Sequence, residues 1–117
     1  MTKDELLTYV QEEYGILADY PFADPWSPSP VLRHKHNKKW FALLMNIPLC
    51  KLTGKSDERV WVLDVKCDQF LKPALLEKNG IYPAYHMSKV HWITANLAEA
   101  DDETLKMLIE MSYNLTK

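Results

Sequence analysis

The chain has 117 residues, 47% of them hydrophobic and 26% charged, with a formal net charge of −2. That length suits one domain with a core that needs neither disulfides nor a structural metal, and the composition excludes a disordered chain. A near-neutral balance and a sequence pI of about 6.1 exclude binding to nucleic acid by bulk charge alone.

Thr2 followed by Glu5 forms a capping-box pattern and opens a helix with Leu6, Leu7, Val10 and Tyr14 on one face. Gly15 fits its end. Pro21, Pro25, Pro28 and Pro30 then rule out a helix or central strand from Asp19 to Pro30, so an extended connection anchored by Phe22 and Trp26 is expected. From Val31 the period changes to two. Val31 to His36 and Lys39 to Ile47 flank Asn37-Lys38 as a β-hairpin; Asn37 can adopt positive φ, and Lys38 is a poorer choice than Gly there, which leaves the turn type open. In the second of these strands Phe41, Leu43, Met45 and Ile47 face one way and Trp40, Ala42 and Leu44 the other. A strand apolar on both faces belongs in the middle of a sheet.

Leu52 to Glu58 reads as a polar turn around Gly54, and Arg59 to Lys66 as a third strand with Trp61, Leu63 and Val65 toward the core. Asp68 is placed to cap a helix running toward Asn79-Gly80; Pro73 is awkward in its interior and suits a restart of the helix instead. Ile81 to Met87 is irregular or a short strand, and Val90 to Leu97 is a strand. Asp101 caps a last helix carrying Leu105, Leu108, Ile109 and Ser112 at helical spacing. This order predicts a single α+β domain: an antiparallel β-sheet with helices packed on one face.

Several chemistries lack their residues. The three glycines are Gly15, Gly54 and Gly80, far apart and each at a turn or helix end, so phosphate-cradling loops and dinucleotide fingerprints are absent. No Ser or Cys has a nucleophile-elbow context. Cys50 and Cys67 lack CxxC spacing and are expected to be free thiols. His34 with His36, and His86 with His91, lack helical ligand spacing and a recurring carboxylate, so no metal and no cofactor is expected. The first residues lack signal-peptide order, and no apolar run is long enough to span a membrane. A cytoplasmic, non-enzymatic monomer is the expectation.

The segment from Ile81 to Trp92, IYPAYHMSKVHW, gathers Tyr85, His86, Lys89, His91 and Trp92 around a turn stiffened by Pro83. It reads as a hydrogen-bonded corner locking a loop to the sheet, or as a surface for a small ligand or protein. This stretch, Asp64-Val65-Lys66-Cys67-Asp68, and Asn37-Lys38-Lys39-Trp40-Phe41-Ala42 together resemble the motifs of the MmcQ/YjbR family over about residues 19–113. Lys38 stands where the family commonly has Gly, and Ser88 where Asn is expected. The resemblance implies a fold similar to the bacterial frataxin homologue and a proposed double-wing mode of DNA binding.

Charge segregates along the chain. Residues 1–32 hold one Lys against six acids, a net −5, whereas residues 33–66 hold eight Lys and Arg against three acids, a net +5. The two wings implied are Arg33, Lys35, Lys38 and Lys39 on the hairpin, and Lys51, Lys55 and Arg59 around the second turn. Such loops can track phosphates, predicting weak, salt-sensitive binding to double-stranded DNA. Lysines also block edge pairing in sheets, and the Tyr85–Trp92 corner as a non-enzymatic binding module is the alternative.

Overall fold

A computed structural model of the chain describes residues 1–22 and 28–117. Trp26, expected as an anchor, lies outside the described residues. The elements are α1 (Lys3–Tyr14), β1 (Val31–Arg33), β2 (Trp40–Pro48), α2 (Cys50–Thr53), β3 (Arg59–Lys66), α3 (Lys72–Leu76), β4 (Ile81–Pro83), β5 (Trp92–Asn96) and α4 (Asp102–Thr116). The strands form one antiparallel sheet in the order β1-β2-β3-β5-β4.

The long helices cover one face. Thr2 accepts from the Glu5 N–H while the Glu5 carboxylate accepts from the Thr2 N–H, the reciprocal pair that starts α1. Asp101 accepts from the Thr104 N–H and starts α4. Leu6 and Val10 of α1 and Leu105, Leu108 and Ile109 of α4 bury against Leu32, Ala42, Leu44, Leu63, Val65, Ile93 and Ala95 of the sheet. The two helices lie side by side and parallel: Met1 meets Asp102 at one end, and the rings of Tyr14 and Tyr113 pack 4.6 Å apart at the other.

The opposite face carries a second cluster of Val31, Leu43, Met45, Ile47 and Val62. It is closed by Trp40, by Leu52 of α2, and by Tyr85 and Met87 from the 84–91 loop. This explains why β2 is apolar on both sides.

Local geometry departs from the periodicity in several places. Phe41 packs with the helix-side core and Trp40 with the opposite cluster, the reverse of strict alternation. An irregularity in the β1–β2 register causes it: Leu32 pairs with Ala42 but Arg33 with Trp40, leaving Phe41 as the extra residue of a bulge. The Phe41 carbonyl accepts from the buried Ser112 hydroxyl at 2.6 Å, which in turn accepts from the Lys66 N–H at 2.9 Å.

The hairpin is shorter than expected, with β1 ending at Arg33. Its positive φ of 62° falls on Lys38 and not on Asn37, whose side chain is used otherwise. Asp68 does not cap a helix. It accepts from the Phe70 N–H to close a turn, and the helix starts only at Lys72, with Pro73 in the first turn where no amide is missed. The second turn contains the one-turn helix α2, and β5 begins at Trp92, with Val90 exposed. Cys50 is half-buried and Cys67 buried, both free, and burial raises the Cys67 thiol above its ordinary range.

Candidate functional site

The seven basic residues do not form one surface. The 34–39 loop precedes β2 and the 49–58 turn follows it, so the two groups sit at opposite ends of a nine-residue strand, roughly 30 Å apart at about 3.3 Å per residue. At the second turn, Lys51, Lys55 and Arg59 are exposed among the exposed acids Asp57 and Glu58. Arg59 is held on Asn46, its Nε donating to the side-chain oxygen at 3.0 Å and its Nη2 to the carbonyl at 2.6 Å.

The first loop is built differently. His34 is buried and its ring lies 4.4 Å from Tyr113 and 5.1 Å from Phe41. Its Nε2 is 2.7 Å from the Thr116 hydroxyl, and burial holds the imidazole below its ordinary titration range. Asn37 donates to the Thr116 carbonyl at 3.0 Å and accepts from the Lys39 N–H at 2.9 Å. The loop is thereby fixed to the end of α4, with Lys35, Lys38 and Lys39 exposed on it. Arg33 forms an ion pair with Asp19.

Arg33, His34, Lys35 and Lys38 line a cleft of about 440 Å³ with Gly15, Ile16, Leu17 and Asp19. Both long helices end here with no basic residue in their last turns, and helix C-termini carry partial negative charge. The Lys35 ammonium lies beside the end of α1, 3.9 Å from where a side chain at Gly15 would begin. Part of the basic charge therefore complements the fold itself.

At the other corner, the 84–91 loop lies over the second cluster. The Tyr85 N–H donates to the Thr94 hydroxyl at 2.9 Å, and the Lys89 ammonium to the Ala84 carbonyl at 2.6 Å. The rings of Tyr85 and His86 pack tilted with their centroids 4.0 Å apart, and His86 takes a φ of 64°, uncommon for a residue other than glycine. The structure thus brings Tyr85, His86 and Lys89 together. His91 contributes its carbonyl to the Cys67 N–H at 2.7 Å, with its side chain exposed, and Trp92 is half-buried at the start of β5.

A groove of about 450 Å³ opens beside the loop, lined by Phe22, Ser29, Trp40, Leu43, Met45, His86 and Met87. Phe22 meets the Trp40 ring edge-on at 5.8 Å. A smaller cavity of about 130 Å³ lies between the loop and α2, with Lys51, Leu52, Tyr82, Tyr85 and Lys89 on its walls.

Beneath this corner is a residue that the sequence places in a motif without assigning it a role. Asp64 of β3 is fully buried, facing the loop side of the sheet between Leu43 of β2 and Thr94 of β5. One carboxyl oxygen accepts from the Thr94 hydroxyl, while the other, Oδ2, has no partner among the described residues. Burial pushes its pKa up to about 7, against smaller lowering effects of the Thr94 hydroxyl and the Lys89 charge. The signal available in the sequence was the apolar second face of β2, which implies that its neighbour's alternate residues are covered too. Among the described residues no group of three His, Cys, Asp or Glu side chains is placed to hold a metal.

The fold recurs in known proteins. The crystal structure of a Pseudomonas syringae protein superposes with a TM-score of 0.93 at 41% identity, covering all of both chains. That of a Deinococcus radiodurans protein does so with a TM-score of 0.61 at 26% identity, covering 97% of this chain and 77% of the other. The uncharacterised protein YyaQ of Bacillus subtilis (strain 168) is 37% identical, covering all of this chain and 99% of its own. The model of the YjbR family matches residues 12–115, and the chain belongs to that family.

Proposed function

We propose that the chain is a non-enzymatic, cytoplasmic, monomeric protein that binds the phosphate backbone of duplex DNA weakly, through the 34–39 loop alone and not through paired wings. The observation that carries this reading is the set of three exposed lysines, Lys35, Lys38 and Lys39, on a loop pinned at its root to the end of α4. A pinned loop loses little entropy when its lysines meet phosphates. The second basic group lies too far away and too close to Asp57 and Glu58 to act as a matching wing.

Lysine is a point charge without the fork geometry that reads base edges, so the binding is independent of sequence. With two to three phosphate contacts, log K falls against log salt with a slope of about −2 to −3. Affinity at physiological salt lies in the non-specific range of about 10⁻⁴ to 10⁻⁶ M. Fluorescence anisotropy on a short duplex across a salt series checks this. A slope near zero removes the phosphate reading, and a slope steeper than about −5 requires both basic groups at once.

The groove beside the 84–91 loop supports a second reading, an aromatic small ligand packed against Trp40 and Phe22. Its volume and its apolar lining with one imidazole and one hydroxyl are those of small-molecule sites. Quenching of tryptophan fluorescence by a panel of aromatic metabolites, lost in Met45→Lys, supports it; a panel without effect leaves the phosphate reading alone.

A further inference from the structure

The two motifs that flank β3 and β5 meet at one point, and that point has an unsatisfied group. Thr94 stands between Asp64 and the loop: its hydroxyl accepts from the Tyr85 N–H and donates to the Asp64 carboxyl. The remaining Asp64 oxygen is buried without a partner among the described residues. A buried polar atom left in this way is costly, and far more so when it carries charge.

On β3 itself, Lys66 follows Asp64 by two positions on the same face and is half-buried. β2 presents Leu43 and β5 presents Thr94, neither of them titratable. From β4 the phenol of Tyr82 is already committed, donating to Glu99 at 2.7 Å. The loop presents Tyr85, His86, Lys89 and His91, and α2 adds Lys51 on the wall of the small cavity that Lys89 also lines. Of these, Lys89 is the cation whose field reaches Asp64. It is also the residue that closes the loop on itself through the Ala84 carbonyl.

We propose that the 84–91 loop is a proton-linked switch in which Lys89 exchanges the Ala84 carbonyl for the Asp64 carboxylate when Asp64 ionises. With Asp64 protonated, Thr94 anchors Tyr85 and Lys89 closes the loop, which is the arrangement described above. Loss of the proton leaves a buried charge with one hydrogen bond. The ammonium of Lys89 is the neighbour able to supply a charge-assisted second one. Drawing Lys89 inward releases Ala84, and the strained His86 backbone is then free to relax, which changes the walls of both cavities that the loop forms. The titration lies near neutrality, so the switch operates across the physiological range.

The sign follows from the raised pKa. The folded chain holds this proton more tightly than the unfolded chain does, so the contribution of Asp64 to stability is complete below about pH 4 and lost as pH rises through about 7. Relative to Asp64→Asn, whose side chain stays neutral, the unfolding constant of the wild type rises about tenfold per pH unit between pH 5 and 7, then levels off.

The test is an NMR pH titration of the wild-type chain from pH 5 to 8.5, following the Asp64 carboxyl carbon, the Ala84 and Tyr85 amides and the Lys89 side chain. A shared midpoint near 7, lost from the amides in Asp64→Asn, is the expected result. The series is repeated in His86→Asn and His91→Asn, which remove the two imidazoles of the loop. The proposal is overturned if Asp64 titrates while Ala84, Tyr85 and Lys89 stay still, or if the loop signals follow a histidine and not Asp64. Should Asp64→Asn fail to fold, the wild-type midpoints and the histidine variants decide the matter without it.

Discussion

Gly80→Ala lowers the stability of the chain by about 3 kcal/mol or more, the cost of a backbone that must move. Gly80 sits at φ 83°, and a side chain there begins 2.6 Å from the Ala100 amide nitrogen and 2.9 Å from the Glu99 Cβ. Positive φ alone costs an L-residue roughly 1–2 kcal/mol. The close approach to backbone adds a term of overpacking, typically about 1–3 kcal/mol. Gly54→Ala is the internal control, because Gly54 has a similar φ of 74° but open space around it. Only the conformational cost remains there, about 1–2 kcal/mol. Denaturant unfolding of both variants reads the difference; equal losses show that the 79–80 turn does not press on the 99–100 turn. The contact matters for the corner, since Gly80 also accepts from the Asn96 N–H at 2.8 Å and so sets β4, from which the 84–91 loop departs.

Ser112→Ala is the second large effect, a loss of about 3 kcal/mol. The buried hydroxyl stands between β2 and β3, donating to the Phe41 carbonyl and accepting from the Lys66 N–H. Alanine leaves one backbone acceptor and one backbone donor unpartnered away from water, each worth about 1–3 kcal/mol. Native-state exchange gives the sharper readout: the Lys66 amide becomes markedly less protected in the variant, while Leu63 and Val65 in the strand centre follow only the global loss. A drop below about 1 kcal/mol with Lys66 still protected indicates that Ser112 does not complete the ladder.

This bond also shows why part of the fold was not legible from residue patterns. Helices α1 and α4 were readable because Thr2, Glu5 and Asp101 cap them locally and their apolar residues recur at one period. Strand β3 was readable for the same reason, at period two. The bulge that turns Phe41 toward the helices depends on a serine 71 residues later, and no local pattern contains it. Asp68 illustrates a milder failure, since the same side-chain oxygen that caps a helix also closes a turn, and Pro73 fixed which of the two occurs.

The candidate sites divide in the same way. The clustering of Tyr85, His86 and Lys89 followed from their closeness in sequence, and the structure places them together. Pairing the two basic loops did not follow, because closeness in sequence says nothing about which end of a strand a loop occupies. Asp64 was hidden by its alternation with Leu63 and Val65, which placed it on the face away from the helices. Alternation alone leaves that face to water; the 84–91 loop covers it instead.

The measurement that tests the proposed function most directly compares two triple variants on the same duplex at about 50 mM salt. One is Lys35→Ala, Lys38→Ala and Lys39→Ala; the other is Lys51→Ala, Lys55→Ala and Arg59→Ala. Each removes three positive charges, so bulk electrostatics changes equally and only position differs. If the 34–39 loop is the contact element, the first variant loses ten- to a hundredfold in affinity and most of the salt slope, while the second stays within about threefold of the wild type. Equal losses in the two variants, or a loss confined to the second, contradict the account.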